Sequence, residues 1–91
     1  MRNKVLLNVF LPATQKSYEF RVPLDLSIEE GSRLISRILS SRDSVRYASS
    51  EDVDLMMLDG ESAGAVLSPL ESFKWYVEHN QLVDGSSLAL M

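Results

Sequence analysis

Val5, Leu7, Val9 and Leu11 interleave with Leu6, Asn8 and Phe10, and the polar Asn8 assigns the odd-numbered set to the core face of a first strand. Pro12 to Lys16 supplies a turn. Tyr18, Phe20, Val22 and Leu24 then alternate with Glu19 and Arg21, the pattern of a half-buried second strand, so the two segments predict an antiparallel hairpin. Pro23 removes a backbone donor near the end of the second strand, which places that strand at an edge of the sheet.

The period then changes. Ser27 followed three residues later by Glu30 matches a capping box, in which the hydroxyl and the carboxylate each accept an otherwise orphaned amide, so a helix is predicted to open at Ile28. Ile28, Leu34, Ile35, Ile38 and Leu39 recur on one side and Arg33, Ser36 and Arg37 on the other, an amphipathic helix of about three to four turns. Gly31 costs a helix about 1 kcal/mol relative to alanine, and close approach of the helix to the sheet is the simplest reason to keep it. Ser40 to Asp52 reads as an ordered connection.

Val53 to Leu58 predicts a third strand closed by the Asp59-Gly60 turn, and Ala65-Val66-Leu67 a short fourth one. Ser68-Pro69-Leu70-Glu71 combines a capping serine, proline at the first helical position and glutamate three after the cap. It predicts the start of a second, short helix running through Phe73 to Val77. Leu82 points inward, Asp84-Gly85 turns the chain, and Leu88 with Leu90 forms a last strand. The expected class is α+β, a mixed sheet of four to five strands on one main helix, within a single domain covering residues 1–91.

This order resembles the ubiquitin-like β-grasp across nearly the whole chain. Ser17-Tyr18-Glu19-Phe20-Arg21-Val22 followed by Ser27-Ile28-Glu29-Glu30 is similar to the second strand and helix entry of ubiquitin. Asn80 through Leu90 is similar to its final turn and strand. Ubiquitin and the sulfur carriers of this fold act through a flexible C-terminal Gly-Gly, whereas this sequence ends at Met91, so conjugation and sulfur transfer are not expected. Among tail-less bacterial members the chain resembles the YukD-like ubiquitin-like proteins of type VII secretion systems. That resemblance implies a non-enzymatic accessory or regulatory role, through membrane secretion components or a related ubiquitin-like domain. The alternative is a small regulatory or carrier subunit of a multicomponent enzyme.

Composition narrows the partners. With 9 basic against 13 acidic residues the net charge is −4, which gives a phosphate backbone or an anionic membrane little to steer toward. The sequence has no cysteine, which excludes disulfides, thiolate metal sites and a cysteine nucleophile and fits a cytoplasmic protein. Arg2 and Lys4 before Val5–Leu11 superficially resemble a signal peptide, but the run is short, contains Asn8 and lacks a small-x-small cleavage site before Pro12. Nothing reaches the roughly 20 apolar residues of a membrane span. The expectation is a soluble, unexported protein that binds protein and neither nucleic acid nor the bilayer directly.

With the odd side of strand one buried, Leu6 and Phe10 face outward. Ala89 and Met91 join them if Leu88 and Leu90 point inward, and Met57 joins if Met56 and Leu58 are internal. Leu6, Phe10, Met57, Ala89 and Met91 therefore form the expected partner-binding patch on the open face of the sheet, where flexible methionines suit an adaptable surface. The competing expectation is that the second helix, with Phe73 and Trp75, covers that face. No catalytic, cofactor-binding or metal residues are expected. His79 reads as a capping or solvated residue, and Asp52, Asp54, Asp59 and Glu61 as an acidic rim without calcium-loop spacing. Trp75-Tyr76 reads as a packing anchor more than a stacking platform. Arg33, Arg37 and Arg42 read as a solvated flank that an acidic partner could meet. Self-association through the open face or an edge strand is compatible with either function.

Overall fold

Strand alternation and two helix caps set the architecture of the computed structural model, which describes residues 3–91; Arg2, half of the N-terminal basic pair, lies outside them. The elements are β1 (Lys4–Leu11), β2 (Lys16–Pro23), α1 (Ile28–Arg42), β3 (Leu55–Met57), α2 (Phe73–Glu78) and β4 (Ser86–Leu90). They form a mixed four-stranded sheet in the order β2-β1-β4-β3, with β1 and β2 antiparallel, β1 and β4 parallel, and β3 and β4 antiparallel. Gly85 turns the chain at a φ of 92° and donates its amide to the Leu6 carbonyl at 2.8 Å, which starts the parallel pairing. Residues 65–67 flank β3 through a single bridge from Met56 to Val66, too short for a fifth strand.

One face of this sheet is the core. Val5, Leu7, Val9, Leu11, Leu55, Met57, Leu88 and Leu90 meet Ile28, Ile35 and Leu39 of α1 together with Phe73, Tyr76 and Leu82. The buried stripe of α1 is Ile28, Gly31, Ser32, Ile35, Ser36 and Leu39. Leu34, expected inside, is 40% exposed, and Ser36, expected outside, is buried. The helical period explains this, since 28, 32, 35, 36 and 39 share a face and 34 lies about a quarter-turn away. Ser36 is accommodated by its partners, because its hydroxyl bonds the Tyr47 hydroxyl at 2.6 Å and accepts the Ser50 amide at 3.1 Å. Those contacts tie the connection after α1 to the helix.

The two helices support each other's first turns. The Ser27 hydroxyl accepts the Glu30 amide at 3.0 Å, and the Glu30 carboxylate accepts the Ser27 amide at 3.2 Å, the reciprocal capping box. Two amides that the box leaves orphaned, Ile28 and Glu29, donate to the carbonyls of Glu71 and Pro69 at 2.8 and 3.1 Å. In return Phe73 and Lys74 donate to Leu26 and Leu24 at 3.1 and 2.9 Å. This exchange corrects the expected start of the second helix. Residues 69–71 lie outside the helix while the carbonyls of Pro69 and Glu71 serve α1, and α2 begins at Phe73 with Ser72 as its cap, accepting the Trp75 amide at 3.1 Å.

Gly31 faces the ring of Phe73, where a methyl group would collide with Cε2 and Cζ. The close approach expected there is therefore to α2 and not to the sheet.

Candidate interaction face

β1, β4 and β3 build the opposite face of the sheet from their remaining positions. Phe10 lies beside Ala89, Ala89 beside Met56, and Met56 beside Val66, so one apolar stripe crosses the strands. Ala89 is only 3% exposed yet lies outside the core cluster, forming the floor of the stripe between its larger neighbours. Met91 extends the stripe on one side: it exchanges amide and carbonyl bonds with Asp54 at 2.9 and 3.0 Å and is 58% exposed. Leu58, 42% exposed, donates its amide to the Ser87 carbonyl at 2.9 Å and extends the stripe on the other.

Phe10, Ala89 and Met91 are thus brought together, and Met57 is not. Met57 is 3% exposed and belongs to the core, while Met56 occupies the outward position that Met57 was expected to take. The reason is register, because Met57 pairs with the inward Leu88 and Met56 with the outward Ala89. Leu6 shares the outer face, but Asn8 and its neighbour Ser87 separate it from Phe10. Its amide donates to the Asp84 carboxylate at 2.9 Å. Sequence reasoning missed Met56, Leu58 and Val66. Asp54, the charged residue inside the run Val53–Leu58, held the usable signal, since its outward parity carries Met56 and Leu58 with it.

α2 does not cover this face. Phe73 and Tyr76 are buried in the core on the α1 side, and the Tyr76 hydroxyl accepts the Ser68 amide at 2.7 Å. Among the described residues no helix packs on the outer stripe and none is long and apolar enough to cross a membrane.

No protein-family model matches the chain, and no curated protein matches it. Solved structures do. The chain aligns over 99% of its length with the EccD5 ubiquitin-like domain from Mycobacterium xenopi, covering 97% of that chain at a TM-score of 0.66 and 13% identity. It also aligns over 100% of its length with 76% of the N-terminal ubiquitin-like domain of the 4931431F19Rik protein, at a TM-score of 0.67 and 16% identity. The fold is a ubiquitin-like β-grasp. A chain of the MycP5-free ESX-5 inner membrane complex contains the same fold, with a TM-score of 0.72 and 16% identity over 99% of this chain and 21% of that one. At these identities the likeness is one of architecture, and function has to be argued from the surface of this particular β-grasp.

The other polar candidates are engaged locally. His79 is exposed at the end of α2, its ring stacked on Trp75 at 3.9 Å between centroids, with Nδ1 2.7 Å from the Trp75 carbonyl. Trp75 in turn meets Tyr76 edge-on at 5.0 Å. The Asp59 carboxylate accepts the Ser87 amide at 3.1 Å, closing the turn after β3. Among the described residues no three carboxylate or imidazole groups converge as metal ligands. Arg33 pairs with Glu29 at 2.8 Å, and Arg42 lies over the Phe20 ring at 6.0 Å from its centroid.

Proposed function

We propose that this β-grasp chain is a protein-interaction module without catalytic activity of its own, and that its outer sheet face receives a protein partner. The role we assign is accessory or regulatory, on the cytoplasmic side of a type VII secretion assembly, with membrane secretion components as partners and no direct insertion into the bilayer. The observation that carries the reading is the apolar stripe Phe10–Ala89–Met56–Val66 with Met91 and Leu58 beside it, uncovered by either helix. A contiguous apolar strip, half-buried at Phe10 and Met56 and exposed at Leu58, Val66 and Met91, suits recognition, and the unbranched methionines adapt to a partner's shape. Phe10, Ala89 and Met91 remain the proposed contacts, with Met56 taking the place of Met57 and Leu6 at the periphery. The secretion reading is supported by the likeness in fold to the EccD5 ubiquitin-like domain and to a chain of the ESX-5 inner membrane complex.

Affinity purification from the organism that encodes the chain tests both parts, using wild type, Phe10→Asp and Met56→Asp, each shown to be folded by circular dichroism. The reading expects secretion membrane components with wild type and their loss with both variants. Recovery of a soluble enzyme in their place removes the secretion role, and survival of the same partners in both variants removes the face.

A further inference from the structure

The free edge of the sheet carries a second surface, independent of the outer face. Among the described residues β2 pairs only with β1, which leaves its other side open along eight residues. The Leu24 amide donates to the Asn3 carbonyl at 2.9 Å, and this pair continues the β1–β2 register. Antiparallel pairing alternates, so the even-numbered residues of β2 direct their backbone groups to β1 and Ser17, Glu19 and Arg21 direct theirs outward. The Gly85 amide on the Leu6 carbonyl confirms the parity from the far side, because even-numbered β1 residues turn to β4. Glu19 and Arg21 are exposed on one face of the strand, opposite in sign, and neither forms an ion pair among the described residues.

We propose that β2 pairs with β2 of a second copy, antiparallel and centred on Phe20, to make one continuous sheet across the dimer. Only registers that bring outward-pointing residues opposite one another can form the ladder. A pairing centred on Glu19 sets glutamate against glutamate, and one centred on Arg21 sets arginine against arginine. The Phe20-centred register instead places Glu19 of each copy opposite Arg21 of the other, twice over by symmetry. Charges that guard the edge against other registers thus select this one. On the helix side the half-buried Phe20 rings meet in a non-hydrogen-bonded pair, where side chains approach more closely, and Tyr18 meets Val22. Pro23 at the strand end lacks a donor and halves the bonding opposite Ser17, which limits the ladder's length. One strand per copy lies at the small end of interface size, so the dimer forms reversibly and with concentration.

Sedimentation equilibrium from micromolar to millimolar concentration tests the pairing, with circular dichroism confirming that each variant folds. Wild type is expected to dimerise with slowed amide exchange at Ser17, Glu19 and Arg21. Arg21→Glu or Glu19→Arg should raise the dissociation constant by about tenfold or more, and the double swap Glu19→Arg with Arg21→Glu should restore it. Wild type that stays monomeric throughout overturns the proposal, as does a dimer indifferent to the single reversals or one that the double swap fails to rescue. Protection of the same amides only when a different protein is added, with the chain alone monomeric, assigns the edge to that protein and equally overturns self-pairing.

Discussion

Val5, Leu7, Val9 and Leu11 are at most 1% exposed on the inner face of β1, whereas Leu6, Asn8 and Phe10 on the other face of the same strand are half-buried. Alternation gives both faces apolar residues, and only the inner one receives a cover. The cover is specific, because α1 and α2 are locked to each other through exchanged amides at their N-termini and through Phe73 seated against Gly31. Nothing comparable lies over Phe10, Ala89 and Met56. The helices therefore stabilise one side of the sheet, and the other is the face proposed for recognition. Substitutions of equal chemical size should have unequal effects on the two sides.

The largest effect is expected where the cover meets the sheet. Phe73→Ala removes a fully buried ring and should cost about 3–5 kcal/mol in denaturant unfolding. Gly31→Ala comes next at about 1–3 kcal/mol, since the added methyl needs the space that the ring fills. In a Phe73→Leu background that penalty should shrink, and a double-mutant cycle reads the difference directly. Ser36→Ala should cost about 1–2 kcal/mol by stripping the Tyr47 hydroxyl and the Ser50 amide of a shared partner. Faster amide exchange at Ser50 would locate the loss in the connection after α1. Smallest of all, Phe10→Ser on the outer face should change stability by about 1 kcal/mol or less while removing a proposed contact. A cost there as large as that of Phe73→Ala would mean that the outer face is a second core.

Much of this contrast was legible from local pattern. Asn8 fixed the parity of β1, Glu19 and Arg21 that of β2, and Ser27 with Glu30 the start of α1, because each signal lies within a few residues of its consequence. The second half resisted for physical reasons. Leu55-Met56-Met57-Leu58 is apolar at every position, so only the parity of Asp54 just before it says which methionine is inside, and pairing with β4 fixes that register. Ser68 resembles a cap, but residues 69 and 71 give their carbonyls to amides of α1 that are distant in sequence, and the helix waits for Ser72. Ser36 reads as solvated by its polarity, whereas the helical period sets it on the buried face, where partners from a later loop satisfy its hydroxyl. In the candidate site, Phe10 and Ala89 followed from the parity of their own strands, while Met56 and Val66 depended on contacts between strands.

The adjacent methionines provide the most direct measurement. Met56→Asp and Met57→Asp differ by one position and place the same carboxylate on opposite faces of the sheet, so thermal melting followed by copurification from the encoding organism separates stability from recognition. Met57→Asp should unfold, because it buries an unpaired charge in the core. Met56→Asp should melt close to wild type and fail to recover the partners that wild type brings down. A folded Met56→Asp protein that retains those partners would contradict the assignment of the outer face as the binding surface.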